Sequence, residues 1–192
     1  MNKNLEKAVR IIKRGGIVIF PTDTAFGIGC RIDDDMAVKK IFAIKKRSTD
    51  NALLVLVDST EMAEKYVEIP GDVREKLINK YWPGGLTIFL PCKQNMVPPL
   101  VRANSKVLAV RWPNHKEIEE VIKAVGVPII ATSANISGEP TPYSLDEVDK
   151  ILCNHVDYIM KGDCTYKKES TIIDTTVSPW EIIREGAVKL NL

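Results

Sequence analysis

Apolar positions fall in two rhythms along this chain. Leu5, Ala8, Val9 and Ile12 recur at helical spacing, and Gly15-Gly16 end that helix. Ile17 to Phe20 is an unbroken apolar run and reads as a buried strand. Asp33 to Asp35 can cap a second helix whose apolar face is Ala37, Val38, Ile41, Phe42 and Ile44. Leu53 to Val57 is another buried strand, followed by helical patterns at 61–67 and 73–81. Strands are predicted at 86–90 and 106–110, then an amphipathic helix at 116–125 with Ile118, Val121, Ile122 and Val125 inward. A strand at 127–131 and a short helix at 144–152 follow, and strands at 158–160, 170–174 and 181–183 close the chain. Helices and strands alternate early and strands cluster late. The fold class expected is α/β: a twisted mixed parallel and antiparallel sheet with flanking helices, formed by a single domain over 1–192.

Several apolar strands run directly into polar side chains. Phe20-Pro21-Thr22-Asp23-Thr24-Ala25-Phe26-Gly27 ends in hydroxyls and a carboxylate, and Gly27 and Gly29 allow close backbone approach. Pro128 to Pro140 reads PIIATSANISGEP, where Thr132, Ser133 and Asn135 interrupt an apolar run. Lys45-Lys46-Arg47 closes a helix, where cations complement the dipole, and precedes Ser48-Thr49-Asp50-Asn51. Arg111 ends a strand; a buried arginine is costly alone, so it must meet an acidic partner or an anionic ligand. Ser170 opens a late strand and Arg184 lies in the next. Turn formation or helix capping explains any one of these segments by itself. Together they deliver Thr22, Thr24, Thr132, Ser133 and Ser170 hydroxyls with Arg47, Arg111 and Arg184 to strand ends, where open sheets bind ligands. Arginines suit carboxylates and phosphates, so an anionic small molecule is the expected ligand.

Composition narrows the chemistry further. Among 192 residues, 27 basic and 25 acidic side chains leave a net charge of +2, which does not favour extensive nucleic-acid contact. Cys30, Cys92, Cys153 and Cys164 have no CxxC spacing, so free thiols in a reducing cytoplasm are expected rather than zinc or disulfides. The first residues carry no apolar signal core, and no apolar run approaches the ~20 residues of a membrane span. Neither GxxxxGK[ST] nor GxGxxG occurs. His115 and His155 are the only histidines, and both are expected at the surface, which disfavours a histidine base or metal site.

The ordered segments FPTDTAFGIGC, KKRSTDNALLVLV, WPGGLTIFLP, AVRWPNH, PIIATSANISGEP, STIID and IIREGAV span nearly the whole chain. In that order they resemble the YrdC/TsaC family of L-threonylcarbamoyladenylate synthases, in its short single-domain form. The resemblance implies a YrdC-like fold with a concave basic site. It implies synthesis of threonylcarbamoyl-AMP and pyrophosphate from L-threonine, bicarbonate and ATP, with Mg²⁺ accompanying the ATP. The product would pass to downstream threonylcarbamoyl transferase proteins that modify tRNA. By motif position, Thr24, Arg111, Ser133 and Ser170 would contact threonine. Lys45, Arg47, Asn51, Ser133, Asn135 and Arg184 would contact ATP, with Lys45, Arg47 and Arg184 as catalytic cations. Leu56 stands where many relatives carry histidine, which touches on threonine recognition, and Gly85 replaces a proline. Two other readings compete: a non-catalytic module binding double-stranded RNA or tRNA, and a relative handling other carbamoyl adenylates, as in hydrogenase maturation. Nucleotide turnover separates the first of these from the synthase.

Overall fold

The computed structural model describes residues 2–191. Helix α1 (Lys3–Lys13) starts at Asn2, whose Oδ1 accepts from the Asn4 and Leu5 amides at 3.0 Å. Strands β1 (Val18–Pro21) and β2 (Phe26–Gly29) form a tight antiparallel hairpin. Helix α2 (Asp35–Lys45) is capped by Asp34 and closes on Lys46 in the left-handed region at φ 51°. Strand β3 (Leu54–Leu56), helix α3 (Thr60–Glu64) and a helical stretch follow. That stretch comprises α4 (Gly71–Val73), a π turn at Arg74–Ile78, and α5 (Asn79–Tyr81). Then come β4 (Leu86–Pro91), β5 (Val107–Arg111), α6 (Lys116–Val125), β6 (Ile129–Ser133), α7 (Lys150–Asn154), β7 (Tyr158–Ile159), β8 (Thr171–Asp174) and β9 (Glu181–Arg184).

All nine strands belong to one sheet in the order β7-β1-β2-β6-β3-β5-β4-β8-β9. The β7/β1, β3/β5 and β4/β8 pairs are parallel and the others antiparallel, the mixed sheet expected from the sequence. Helices α1 and α6 bury Leu5, Ala8, Val9 and Ile12 and Ile118, Val121, Ile122 and Val125, the stripes that periodicity picks out. Strand periodicity then sorts the central strands into two faces. Val55, Ile88, Val110, Ile130 and Ile173 are buried in the core. Their neighbours one residue away belong to the opposite face, where the functional side chains gather.

Four expectations need correction. The 144–152 helix is broken into a short 3₁₀ turn, Leu145–Glu147, and α7, because Val148 adopts an extended backbone and buries its side chain. Helix α3 stops at Glu64, since Val67 leaves it to bridge Cys92 in the sheet margin. Strand β6 runs two residues further than the apolar pattern suggests: Thr132 and Ser133 lie within it, paired with Ile28 and Gly27. Strand β2 escapes the periodicity, because a Phe-Gly-Ile-Gly run has few side chains to signal a pleated surface.

The two β2 glycines permit a close approach, and strand β6 makes it. A Cβ at Gly29 would sit 1.8 Å from the Ile130 carbonyl oxygen. Gly29→Ala is therefore expected to cost about 3 kcal/mol, since β6 backbone must shift. Gly71→Ala, with nothing within 4 Å of the added carbon, is expected to stay within about 0.5 kcal/mol of wild type. Urea unfolding midpoints measure both, and equal stabilities would contradict this packing of β2 against β6.

Candidate active site

A cavity of about 300 Å³ opens on the sheet face away from the helical core. Its floor follows strand alternation: Leu54 and Leu56 from β3, Ala109 from β5, Ala131 from β6, Phe89 from β4 and Ile172 beside β9. Leu54 pairs in register with both Ala109 and Ala131. Two alanines at the centre of a sheet otherwise filled by large side chains leave the hollow. The same alternation, carried two residues on or back, places Arg111, Ser133, Thr87 and Ser170 at its edge. Thr22 and Thr24 enter from the β1–β2 turn, Arg47 from the α2–β3 connection, and Arg184 from β9.

Arg111 is the deepest cation of the cavity lining, 3% exposed against Asp23 at 1%. Its Nη2 donates to Asp23 Oδ1, its Nε to the Gly84 carbonyl at 2.9 Å, and its Nη1 to Thr24 Oγ1 at 2.6 Å. Asp23 Oδ2 accepts from the Asn114 amide at 3.2 Å. Burial lowers the Arg111 pKa, and Asp23 opposes that pull. A guanidinium has five donors, and three are engaged here, so two remain for a ligand. The proton order of the neighbouring hydroxyls is also fixed. Thr22 donates to the Ala25 carbonyl at 2.8 Å, so at the 3.0 Å contact Thr24 must donate to Thr22. Thr24 therefore accepts from Arg111 and donates to Thr22.

At the same end of the sheet, next to Arg111 across the β4–β5 ladder, Ser170 Oγ lies 2.9 Å from Thr87 Oγ1 and accepts from Arg184 Nη2 at 3.2 Å. Arg184 Nε donates to the Ser170 carbonyl at 3.0 Å, and Nη1 pairs with Glu169 Oε1 at 3.0 Å. Arg47 is tethered through Nε to the Asn51 carbonyl at 3.3 Å and through Nη2 to the Ala52 carbonyl at 2.8 Å. Burial lowers its pKa.

Eight of the hydroxyl and cationic residues singled out in the sequence line this one cavity: Thr22, Thr24, Arg47, Arg111, Thr132, Ser133, Ser170 and Arg184. Lys45, Asn51 and Asn135 lie outside its lining. Lys45 is buried, and Nζ donates to the carbonyls of Ser133 and, at 2.5 Å, Asn135, and to Asn135 Oδ1 at 3.2 Å. Burial, with the Arg47 charge second, pulls its pKa down to about 7. The three oxygens pull the other way, because an ammonium offers three donors to them and a neutral amine two. Ser133 donates to Asn135 Oδ1 at 2.6 Å, so Lys45 and Asn135 together fix the end of β6 and leave the Ser133 oxygen able to accept. Asn51 is exposed and contributes its carbonyl to Arg47.

Asp23, Thr87, Thr141 and Glu169 carry no role in the sequence reading, yet all four bond to this constellation. The requirement that Arg111 meet an acid could have pointed to Asp23, the only carboxylate of its strand-end motif. Glu169, half-exposed in a loop, gives no such signal. The four cysteines are free thiols, and burial raises the Cys30 pKa most strongly. His155 is exposed, whereas His115 is half-buried and caps α6. Among the described residues, no helix is long and apolar enough to cross a membrane.

Fold and cavity define an α/β protein whose mixed sheet carries a cationic, hydroxyl-rich hollow. Residues 10–186 match the Sua5/YciO/YrdC family, described as telomere recombination, and the chain belongs to that family. The threonylcarbamoyl-AMP synthase of Pyrococcus abyssi is 38% identical over 186 residues, 96% of this chain and 54% of that protein. The putative threonylcarbamoyl-AMP synthase of Methanocaldococcus jannaschii is 37% identical over 190 residues, 98% of this chain and 88% of the relative. The crystal structure of P. abyssi Sua5 complexed with L-threonine superposes with a TM-score of 0.89 at 36% identity, covering 95% of this chain and 54% of that one. The chain thus spans about half the length of its P. abyssi and Bacillus subtilis relatives, 54% in each case.

The Asp23–Arg111 pair is expected to dominate the local energetics. Asp23→Asn leaves a buried guanidinium without its counter-charge and should destabilise the protein by about 3–5 kcal/mol. Glu64→Gln removes the exposed pairing with Arg74 and should cost under about 1 kcal/mol. Denaturant titration of both variants checks the contrast, and a loss at Asp23→Asn no larger than at Glu64→Gln would contradict it.

Proposed function

We propose that this chain is a single YrdC-like domain that makes threonylcarbamoyl-AMP and pyrophosphate from L-threonine, bicarbonate and ATP. The observation that carries the reading is Arg111: a buried cation, immobilised by Asp23, Thr24 and Gly84, with two donors still free in a hollow of amino-acid size. Two parallel N–H donors suit a carboxylate. The threonine methyl would rest on the apolar floor of Leu54, Leu56, Ala109 and Ala131, with Ser133 and Ser170 beside the polar groups. Leu56 offers no hydrogen bond at that floor, so recognition falls to the hydroxyls and arginines. The triphosphate would lie across the rim between Arg47 and Arg184. ATP enters with Mg²⁺ on its phosphates. Among the described residues, no group of three His, Cys, Asp or Glu side chains is placed to hold a metal.

The chemistry needs no protein nucleophile. The bound α-ammonium first loses a proton to solvent. The neutral nitrogen then attacks the bicarbonate carbon, a C–N bond forms, and water is lost with the displaced oxygen, leaving a carbamate. A carbamate oxygen then attacks the α-phosphorus, the bond from that phosphorus to the bridging oxygen breaks, and pyrophosphate leaves with the electron pair. Arg47 and Arg184 stabilise charge on the phosphates, and Arg111 with Thr24 holds the amino acid for attack. Lys45, Asn51 and Asn135 support these groups through the β6 end and the Arg47 tether. The product is a mixed anhydride, consumed by a transferase that delivers the threonylcarbamoyl group to tRNA.

Pyrophosphate release by purified protein with Mg·ATP is expected to require both L-threonine and bicarbonate. Release indifferent to threonine would overturn the synthase reading. Arg47→Ala should lower kcat/KM by about 10²-fold, and a wild-type rate would remove Arg47 from the machinery.

A further inference from the structure

Three arginines line the cavity, but Glu169 is the only acidic side chain among its lining residues. We infer that Glu169 is the specificity-determining group that reads the α-ammonium of the amino acid, and so admits amino acids while excluding hydroxy acids and simple carboxylates. This rests on the synthase reading and deepens it.

Glu169 is unusually well placed for a loop residue. Its carbonyl accepts from the Ala187 amide at 2.7 Å. A Cβ at Gly186 would come within 2.3 Å of that same carbonyl oxygen, so the C-terminal segment lies directly against the Glu169 backbone. Oε1 is held from two sides, by Arg184 Nη1 and Thr141 Oγ1, each at 3.0 Å. These two contacts use one oxygen of the carboxylate. A carboxylate offers about four acceptor positions, which leaves Oε2 for a ligand. At 36% exposure on both sides, the Arg184 pair is solvent-screened. It contributes little, so a substrate cation can share the carboxylate without a large loss.

The electrostatics require such a group. A zwitterion facing only Arg47, Arg111 and Arg184 would find its carboxylate attracted and its ammonium repelled. Arg111 is neutralised from behind by Asp23, but Asp23 lies outside the cavity lining and cannot serve the ligand's cation. Glu169 precedes Ser170, whose hydroxyl lies 2.9 Å from that of Thr87, and the β4–β5 register sets Thr87 next to Arg111. The ammonium and carboxylate of one α-carbon would therefore meet partners on neighbouring parts of the hollow. Its function is to bind and orient, not to act as base.

The test is calorimetric titration of the full chain with L-threonine and with 3-hydroxybutyrate, its deaminated counterpart. Wild type is expected to bind threonine at least about tenfold more tightly. Glu169→Gln keeps the shape and an oxygen for Arg184 and Thr141 but removes the charge. It should lower threonine affinity about tenfold or more while leaving 3-hydroxybutyrate unchanged or tighter, and Glu169→Asp should restore part of the preference. A purely structural role would weaken both ligands alike and would overturn the assignment, as would unchanged threonine affinity in Glu169→Gln. If wild type binds no threonine and releases no threonine-dependent pyrophosphate, the synthase reading itself fails, and this assignment with it.

Discussion

A guanidinium sealed inside a sheet is tolerable only where its charge is answered, and the answer organises this site. Asp23 comes from the β1–β2 turn, Arg111 from the end of β5, and Gly84 from the turn before β4. One ion pair therefore ties together three parts of the chain that are distant in sequence. An unpaired buried charge costs several kcal/mol, so this connection fixes the position of the β1–β2 turn, and with it Thr22 and Thr24. The remaining Arg111 donors are preorganised, and a ligand carboxylate would pay little to align them.

The hollow in front of Arg111 follows from a second constraint, the alternation of side chains across strands. One face of β3, β4, β5, β6 and β8 presents large aliphatic groups to the core. The other face thins to Ala109 and Ala131 in the middle, then becomes polar two residues along β4, β5 and β6 and just before β8. No dedicated lid or insertion is needed to build the cavity. The sheet makes it by side-chain size, and the loops after α2 and before β8 add Arg47 and Glu169 at the rim.

Much of this was legible in the sequence, for identifiable reasons. Helices α1 and α6 show because their stripes repeat at the helical period, and the strands show as apolar runs. Eight cavity residues were visible because polar side chains at the ends of apolar strands have few structural explanations when many occur together. What escaped is non-local. Strand β2 depends on β6 approaching two glycines, which no local pattern encodes. Lys45 and Asn135 bond to each other across 90 residues, behind the lining of the main cavity, a contact that spacing alone does not encode. Thr87, Thr141 and Glu169 belong to the site through tertiary contacts, and nothing local to LTIF, PTPY or KKES distinguishes them from ordinary strand and loop residues.

The role of Arg111 turns on where the amino-acid carboxylate binds. A crystal structure of this chain with L-threonine decides that directly. The expected result places both carboxylate oxygens within about 3.2 Å of the free Arg111 donors, with the methyl on the Leu54–Ala109–Ala131 floor. Threonine carboxylate bound instead at Arg47 or Arg184, with Arg111 untouched, would contradict the account.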